Sequence, residues 1–200
     1  MRNLRRFGEG HHKNVKFMQL DLPVKNMNTP EQKIWTLHDL LDYDASKFSV
    51  VEIQLKNQLT SWIQMTQSLK LKAILLKYQD FTKAHVSRLE GFFKEEKFVS
   101  LGAKHQIIQA FIRETDEKLS LCGDGEVKDA CLISCIQEIN HFKISSYGTA
   151  AAFANALGMS KYAELFHEAE ANEKQIDDRL TQLAEFEINI RATSPSILTH

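Results

Sequence analysis

The 200-residue chain contains little proline and little glycine: three prolines and eight glycines, with long stretches that have neither. These residues interrupt regular structure, so their scarcity argues against many short strands and turns and favours long helices. No apolar run approaches the ~20 residues of a membrane-spanning helix. The basic N-terminus also lacks the apolar segment of a signal peptide. We therefore expect no membrane association.

The sequence also lacks a strong net charge and a paired set of cysteines. Its formal net charge of −1 gives no general reason to expect nucleic acid as a partner. Cys122, Cys131 and Cys135 are an odd number, which indicates free thiols in a reducing, cytoplasmic compartment. Cys131 and Cys135 share a helix face, but no second Cys or His pair completes a zinc site. We interpret them as small core residues.

What the sequence does contain is apolar residues that recur every three or four positions, the pattern of helices with one buried face. Nothing alternates with period two for long enough to predict a sheet. Thr36 is a candidate cap for a short helical lead-in, Gly158 ends the fourth helix and Ser160 is a candidate cap for the fifth. The predicted helices span about 49–66, 69–96, 104–119, 126–157 and 160–191.

This pattern predicts an all-α fold, with four long helices and one shorter helix in a bundle. The bundle is expected to span 34–192, between a poorly structured N-terminal tail (1–33) and a C-terminal tail (193–200). The basic N-terminal tail could contact nucleic acid, but a solvated extension is the preferred interpretation.

Four acidic residues are candidate metal ligands, because a charge on the apolar side of a helix is costly without a partner. Four-helix bundles can hold two metal ions between Glu side chains and Glu-x-x-His pairs that point inward. The candidates are Glu52 on the first helix, Asp80 on the second, and Glu173 and Asp177 on the fifth.

The fourth helix, which should complete such a site, carries QEINHFKISSYG at 137–148. Asn140 and Lys143 stand at i and i+3, where a di-metal site would need two carboxylates. An amide is a poor ligand for iron, and a protonated lysine is no ligand. His141 is interpreted as a hydrogen-bonded structural histidine, and His85, five residues after Asp80, as peripheral.

Residues 126–184 resemble the signature of the YciE/YciF family of bacterial ferritin-like proteins. Upstream, VEIQLKNQL resembles the family's Ala-Glu-x-Gln-Leu pattern at Glu52, Gln54 and Leu55, and QDFTKAHVSRLEGFF places Asp80 and Thr82 in register. The matching positions in 126–184 are Asp129, Leu132, Ile133, Gln137, His141, Ile144, Tyr147, Gly148, Leu157, Gly158, Glu173, Lys174, Asp177 and Leu180.

The resemblance implies a ferritin-like four-helix bundle that self-associates, here expected as a homodimer, and that is linked to stress responses. Family members typically read Glu-His-Tyr-Glu where this chain has 140–143, Asn-His-Phe-Lys. They typically read Glu-Glu-Thr where it has 80–82, Asp-Phe-Thr. By this comparison, Asn140 and Lys143 replace two carboxylates of a di-metal site.

Two functional hypotheses follow. In the first, Lys143 points inward and pairs with Glu52 or Glu173, so the protein is a non-enzymatic scaffold or interaction protein without a cofactor. In the second, Glu52, Asp80, Glu173 and Asp177 keep a distorted site that binds iron or manganese, and the protein is an oxidoreductase.

Overall fold

The computed structural model of the chain describes residues 33–96 and 105–193, and all regular structure in these two ranges is helical. The predicted tails lie outside the described residues, except for residues 33 and 193. None of the described helices is both long and apolar enough to cross a membrane. The helices are α1 (Leu37–Met65), α2 (Leu69–Glu95), α3 (Gln106–Leu121), α4 (Gly125–Ala156), α5 (Ser160–Leu183) with a π-helical turn (Ala184–Ile188), and α6 (Asn189–Ala192).

Helices α1, α2, α4 and α5 form a four-helix bundle. The pairs α1–α2 and α4–α5 are joined by three-residue connections and pack together, as antiparallel neighbours do. Contacts of α1 with α4 and of α2 with α5 close the bundle, and the shorter α3 lies against α1 and α4. The predicted all-α bundle with one additional shorter helix is confirmed.

The N-terminal end of α1 differs from the prediction. Thr36 does cap a helix: its Oγ1 accepts from the Asp39 amide at 3.0 Å, and the Asp39 carboxylate accepts from the Thr36 amide at 2.9 Å. The predicted lead-in and first helix are, however, one continuous helix of 29 residues. The reason is that no proline or glycine occurs between Leu37 and Met65.

The connection between α4 and α5 reverses the chain at Gly158. Its φ of 73° is a left-handed conformation that glycine adopts without strain, and the Met159 amide bonds back to the Ala154 carbonyl at 2.9 Å. The predicted helix end is thereby confirmed. The cap predicted at Ser160 is wrong, because Ser160 already lies in α5 and Met159 precedes it without a side-chain cap.

The bundle core consists of two apolar clusters, one above the other along the helix axes. The first contains Leu55 of α1, Ile139 of α4 and Ile176 of α5. The second contains Phe48 of α1 and Tyr147 of α4. Each of the four bundle helices contributes residues to one cluster in one part of its length and to the other cluster in the remaining part. The boundary between these parts lies at 48–51 in α1, 78–89 in α2, 139–147 in α4 and 169–176 in α5.

Candidate functional site

A group of buried polar residues fills the level at which the two apolar clusters meet. We call this group the polar cluster. Every bundle helix contributes to it, and no member is more than 2% exposed. Because polar groups are costly to bury without partners, such a concentration in a core requires that they satisfy one another. The members are Glu52, Tyr78, His85, Asn140, Lys143, Tyr147 and Glu173.

Lys143 lies at the centre of the polar cluster. Its Nζ is 3.0 Å from Oε2 of Glu52, 2.6 Å from Oε1 of Glu173 and 3.4 Å from the Tyr78 hydroxyl. The ammonium group donates hydrogen bonds to Oε2 of Glu52 and to the Tyr78 hydroxyl, and it forms an ion pair with Oε1 of Glu173. The inward orientation predicted for Lys143 is therefore confirmed, and the lysine pairs with both glutamates rather than with one. Burial would lower the pKa of Lys143, but the charges of Glu173 and Glu52 raise it above its usual value.

Glu52 is the more strongly stabilised anion of the cluster. Oε1 accepts from the Tyr147 hydroxyl and lies 3.3 Å from Nδ1 of His85, while Oε2 faces Lys143. Burial alone would raise the pKa of Glu52, but the Lys143 charge and the hydrogen bonds of His85 and Tyr147 hold it at about 2. Glu52 is therefore ionised at neutral pH.

Glu173 faces the same lysine but has a different electrostatic balance. Oε2 accepts from the Tyr78 hydroxyl at 2.8 Å and from Nδ2 of Asn140 at 2.7 Å. Burial raises the pKa of Glu173; Lys143 lowers it, the Glu52 charge raises it again, and the net shift is upward. Glu173 is thus the carboxyl of the pair that takes up a proton more readily.

His85 joins the two carboxylates from α2. Its Nδ1 lies 3.3 Å from Oε1 of Glu52 and 3.6 Å from Oε1 of Glu173. On the other side of the ring, Nδ2 of Asn172 is 3.3 Å from Nε2. An amide nitrogen only donates, so in this contact Nε2 is the acceptor, and Nδ1 is the ring nitrogen that faces the carboxylates. The interpretation of His85 as peripheral was wrong.

Asp80 and Asp177 lie outside the polar cluster. Asp80 is 67% exposed and pairs with Lys83, so the inward placement predicted for it is wrong. The reason is that successive residues of a helix are rotated by about 100°, which puts Asp80 on the side opposite Tyr78. Asp177 accepts from Gln137 on the flank of α5, where exposed His141 lies 3.4 Å from its carboxylate.

The donor set does not fit the di-metal centre that the family resemblance implies. Of the four predicted carboxylates, only Glu52 and Glu173 meet, and the Lys143 ammonium lies between them. Glu52, His85 and Glu173 do offer three ligand atoms within 4.8 Å of one another. A cation in that place would meet the charge of Lys143, whose pKa is raised by the carboxylates. The arrangement serves instead to hold an internal ammonium group.

Comparison with known proteins gives relatives that span nearly the whole described part of the chain. The chain is 30% identical to Protein YciF of Escherichia coli (strain K12) over 158 residues, which is 78% of this chain and 95% of YciF. The crystal structure of the E. coli stress protein YciF superposes with a TM-score of 0.72 at 28% identity, covering 78% and 99% of the two chains. YcfI from Rhodopseudomonas palustris gives 0.73 at 25% identity, covering 76% and 98%.

The family comparison agrees with these relatives. The model of the family described as "Domain of unknown function (DUF892)" matches residues 36–193, which include α1 to α6 and every member of the polar cluster. The resemblance to YciF drawn from the sequence is confirmed, and so is the ferritin-like bundle expected from it. The chain therefore belongs to the DUF892 family.

Proposed function

We propose that this chain is a non-enzymatic, stress-related scaffold or interaction protein whose core contains an ion-pair cluster in place of a di-metal centre. One observation carries the proposal: Nζ of Lys143 lies within 3.0 Å of carboxylate oxygens of both Glu52 and Glu173. A cation is needed there to offset two buried carboxylates, and the lysine provides it from the chain itself.

The hydrogen bonds around the lysine support the same proposal. Tyr147 donates to Oε1 of Glu52 and Asn140 donates to Oε2 of Glu173, so one oxygen of each carboxylate is occupied by a neutral protein donor. A reactive metal centre keeps an open position for a substrate or oxygen. In this cluster no member is more than 2% exposed, and the space between the carboxylates is filled.

The stress-related part of the proposal rests on the E. coli relative, which is described as a stress protein. We extend that class of role to this chain. It can be tested by deleting the coding gene from its host and comparing survival under osmotic and oxidative stress. Complementation with the wild-type gene should restore survival, and equal survival of the deletion strain would contradict the proposed role.

The absence of metal chemistry is tested by elemental analysis of protein purified without a histidine tag from medium supplemented with iron or manganese. We expect almost no bound metal in the wild type. The double variant Asn140→Glu/Lys143→Glu should bind metal, because it places two carboxylates on α4 beside Glu52 and Glu173.

A matched control is Lys143→Gln, which removes the ammonium group without adding a carboxylate. If this control gained as much metal as the double variant, loss of the positive charge alone would explain the binding. About two metal ions per wild-type chain would overturn the proposal.

The second candidate function is a di-iron or di-manganese oxidoreductase with a distorted carboxylate site. It is favoured by the three converging ligand atoms of Glu52, His85 and Glu173, a carboxylate and imidazole set that suits iron and manganese. Because Asp80 is exposed, His85 would be the metal ligand from α2 in place of Asp80. Stoichiometric metal that is lost in a His85→Gln variant would favour this candidate.

A further inference from the structure

The histidine at the start of α3 caps the helix with its side chain. His105 is the N-cap residue, and its Nδ1 accepts a hydrogen bond from the Ile108 amide at 3.3 Å. A backbone amide nitrogen carries a hydrogen atom and only donates, so Nδ1 is the unprotonated nitrogen of the ring. The bond satisfies one of the amides that a helix leaves unpaired at its N-terminus. The cap therefore requires a neutral imidazole.

The surroundings of the His105 ring also favour the neutral form. The residue is 5% exposed, and its ring packs against Phe142 of α4 with the two ring centroids 5.7 Å apart. Burial and the positive charge of Lys47 on α1 lower the pKa of His105. The positive end of the α3 dipole opposes a cation at the same position. Protonation would thus remove the hydrogen-bond acceptor and place a charge where three effects oppose it.

The charged residues on the helices that pack against α3 do not compensate a protonated His105. On α4, His141 faces α5, and Lys143 lies in the polar cluster. On α1, Lys47 interacts with Asp44 and also repels a charge on His105. Within residues 33–96 and 105–193, no carboxylate forms an ion pair with the His105 ring. An imidazolium at this position therefore has no anion to stabilise it.

The two halves of α3 are attached to the bundle differently. In the C-terminal half, the Asp116 carboxylate accepts from Nε1 of Trp62 at 2.9 Å and from Nε2 of Gln58 at 3.0 Å, both on α1. In the N-terminal half, residues 106–112 form no side-chain hydrogen bond or ion pair with another helix of the described ranges. This half is held by apolar contacts and by the His105 cap. Loss of the cap therefore acts on the less firmly attached end of the helix.

We propose that His105 is an acid-sensitive cap whose protonation releases the N-terminal half of α3 and uncovers the apolar surface around Phe142. That surface includes Ile108 and the ring of Phe111, whose centroid is 6.1 Å from that of Phe142. The closed helix has the lower His105 pKa, so the open form binds the proton more readily below the ordinary value of 6.5. The closed form is therefore favoured above this pH and is lost as the pH falls toward the lowered pKa. This regulation goes beyond the proposed scaffold function and does not depend on it.

Amide hydrogen exchange of the full-length protein between about pH 5 and 8 tests this proposal, with each rate divided by the intrinsic rate at that pH. Peptides from 106–112 should lose up to about tenfold in protection per pH unit below 6.5, because opening takes up one proton. Peptides from α5 should keep their protection. His105→Asn retains a favoured capping acceptor that does not titrate, so its protection should not depend on pH. His167→Asn, which replaces a histidine that is 74% exposed, should behave as the wild type.

Three outcomes would overturn the proposal. Protection of 106–112 that is independent of pH in the wild type would mean that the cap survives acid. An equal loss of protection in His105→Asn would assign the response to another group, and an equal loss in all helices would mean general acid unfolding. His105→Ser replaces the asparagine variant if the latter is less helical by circular dichroism at pH 8. A nuclear magnetic resonance titration of the wild type is the second measurement, and a His105 pKa at or above 6.5 would also contradict the proposal.

Discussion

Replacing Lys143 by methionine tests how much the central ammonium group stabilises the fold. Methionine keeps the length and apolar stem of the side chain but removes the charge that Glu52 and Glu173 share. Both carboxylates cannot stay ionised in one buried site, so the folded variant must take up a proton. Glu173 is the expected acceptor because its pKa is already raised.

The loss of folding free energy in Lys143→Met follows from the need to protonate one carboxyl group. Protonating a carboxyl group of ordinary pKa 4.5 at pH 7 takes 2.5 pH units, or about 3.4 kcal/mol at about 1.36 kcal/mol per unit. This agrees with the ~3–5 kcal/mol typical for removing one partner of a buried ion pair. In the variant, this carboxyl group has a higher pKa in the folded state than in the unfolded chain. The penalty is therefore absent below pH 4.5, and the folded state loses stability as the pH rises above that value. The penalty should therefore grow by about 1.4 kcal/mol per pH unit between about pH 5 and 7.

The assay is urea unfolding at several pH values between about 5 and 8, with the free energy of unfolding extrapolated to water. The double variant Lys143→Met/Glu173→Gln should be more stable than Lys143→Met at pH 7 and should lose its extra pH dependence. Lys83→Met is the matched control, because Lys83 pairs with exposed Asp80, and it should change stability by less than about 0.5 kcal/mol. A Lys143→Met penalty within that range, or one independent of pH, would refute the reasoning.

Two further predictions concern the same core and its edge. The pKa of Tyr147 is raised well above 10 by burial and by Glu52, so the folded state keeps a proton that the unfolded chain releases. Stability should fall as the pH rises above about 10, and Tyr147→Phe should make this fall less steep by about 1.4 kcal/mol per unit, as measured by urea unfolding. At the edge, Asp129 accepts from the amides of Gln67 and Ser68 at 3.2 and 2.7 Å. Asp129→Ala should lower the free energy of unfolding by about 1–3 kcal/mol, and a loss below about 0.5 kcal/mol would mean that water replaces the carboxylate.

The sequence was sufficient for the parts of the fold that depend on local signals. The start of α2 at Leu69 and the end of α4 before Gly158 were predicted, and both are set by neighbouring residues: the Ser68 side chain caps α2, and left-handed Gly158 ends α4. The inward side of Lys143 could be inferred because it replaces a family carboxylate at a position that faces the core. The π-helical turn after Leu183 had no signal in the sequence that we can identify.

The composition of the polar cluster was harder to predict. His85 was missed because its spacing was measured from Asp80, which faces solvent. Measured from Tyr78, seven residues rotate the helix by about 700°, almost two full turns, and place His85 on the same buried line. Tyr78 and Tyr147 were not among the predicted site residues, yet their hydroxyls donate to Glu173 and Glu52. Which long-range partners meet depends on how four helices pack, and no local pattern encodes this.

The position of the polar cluster between two apolar clusters also fixes the register of the four helices. Sliding one helix by a turn, about 5.4 Å, would move an ionised side chain among leucines and aromatic rings and leave its partners unpaired. Leucine and isoleucine layers alone tolerate such slips, whereas a single buried polar position can specify alignment. We expect Glu52→Leu/Lys143→Met/Glu173→Leu to stay helical but to populate several alignments, seen as multiple or broadened amide resonances. One sharp set of resonances, dispersed as in the wild type, would show that the apolar clusters already align the bundle.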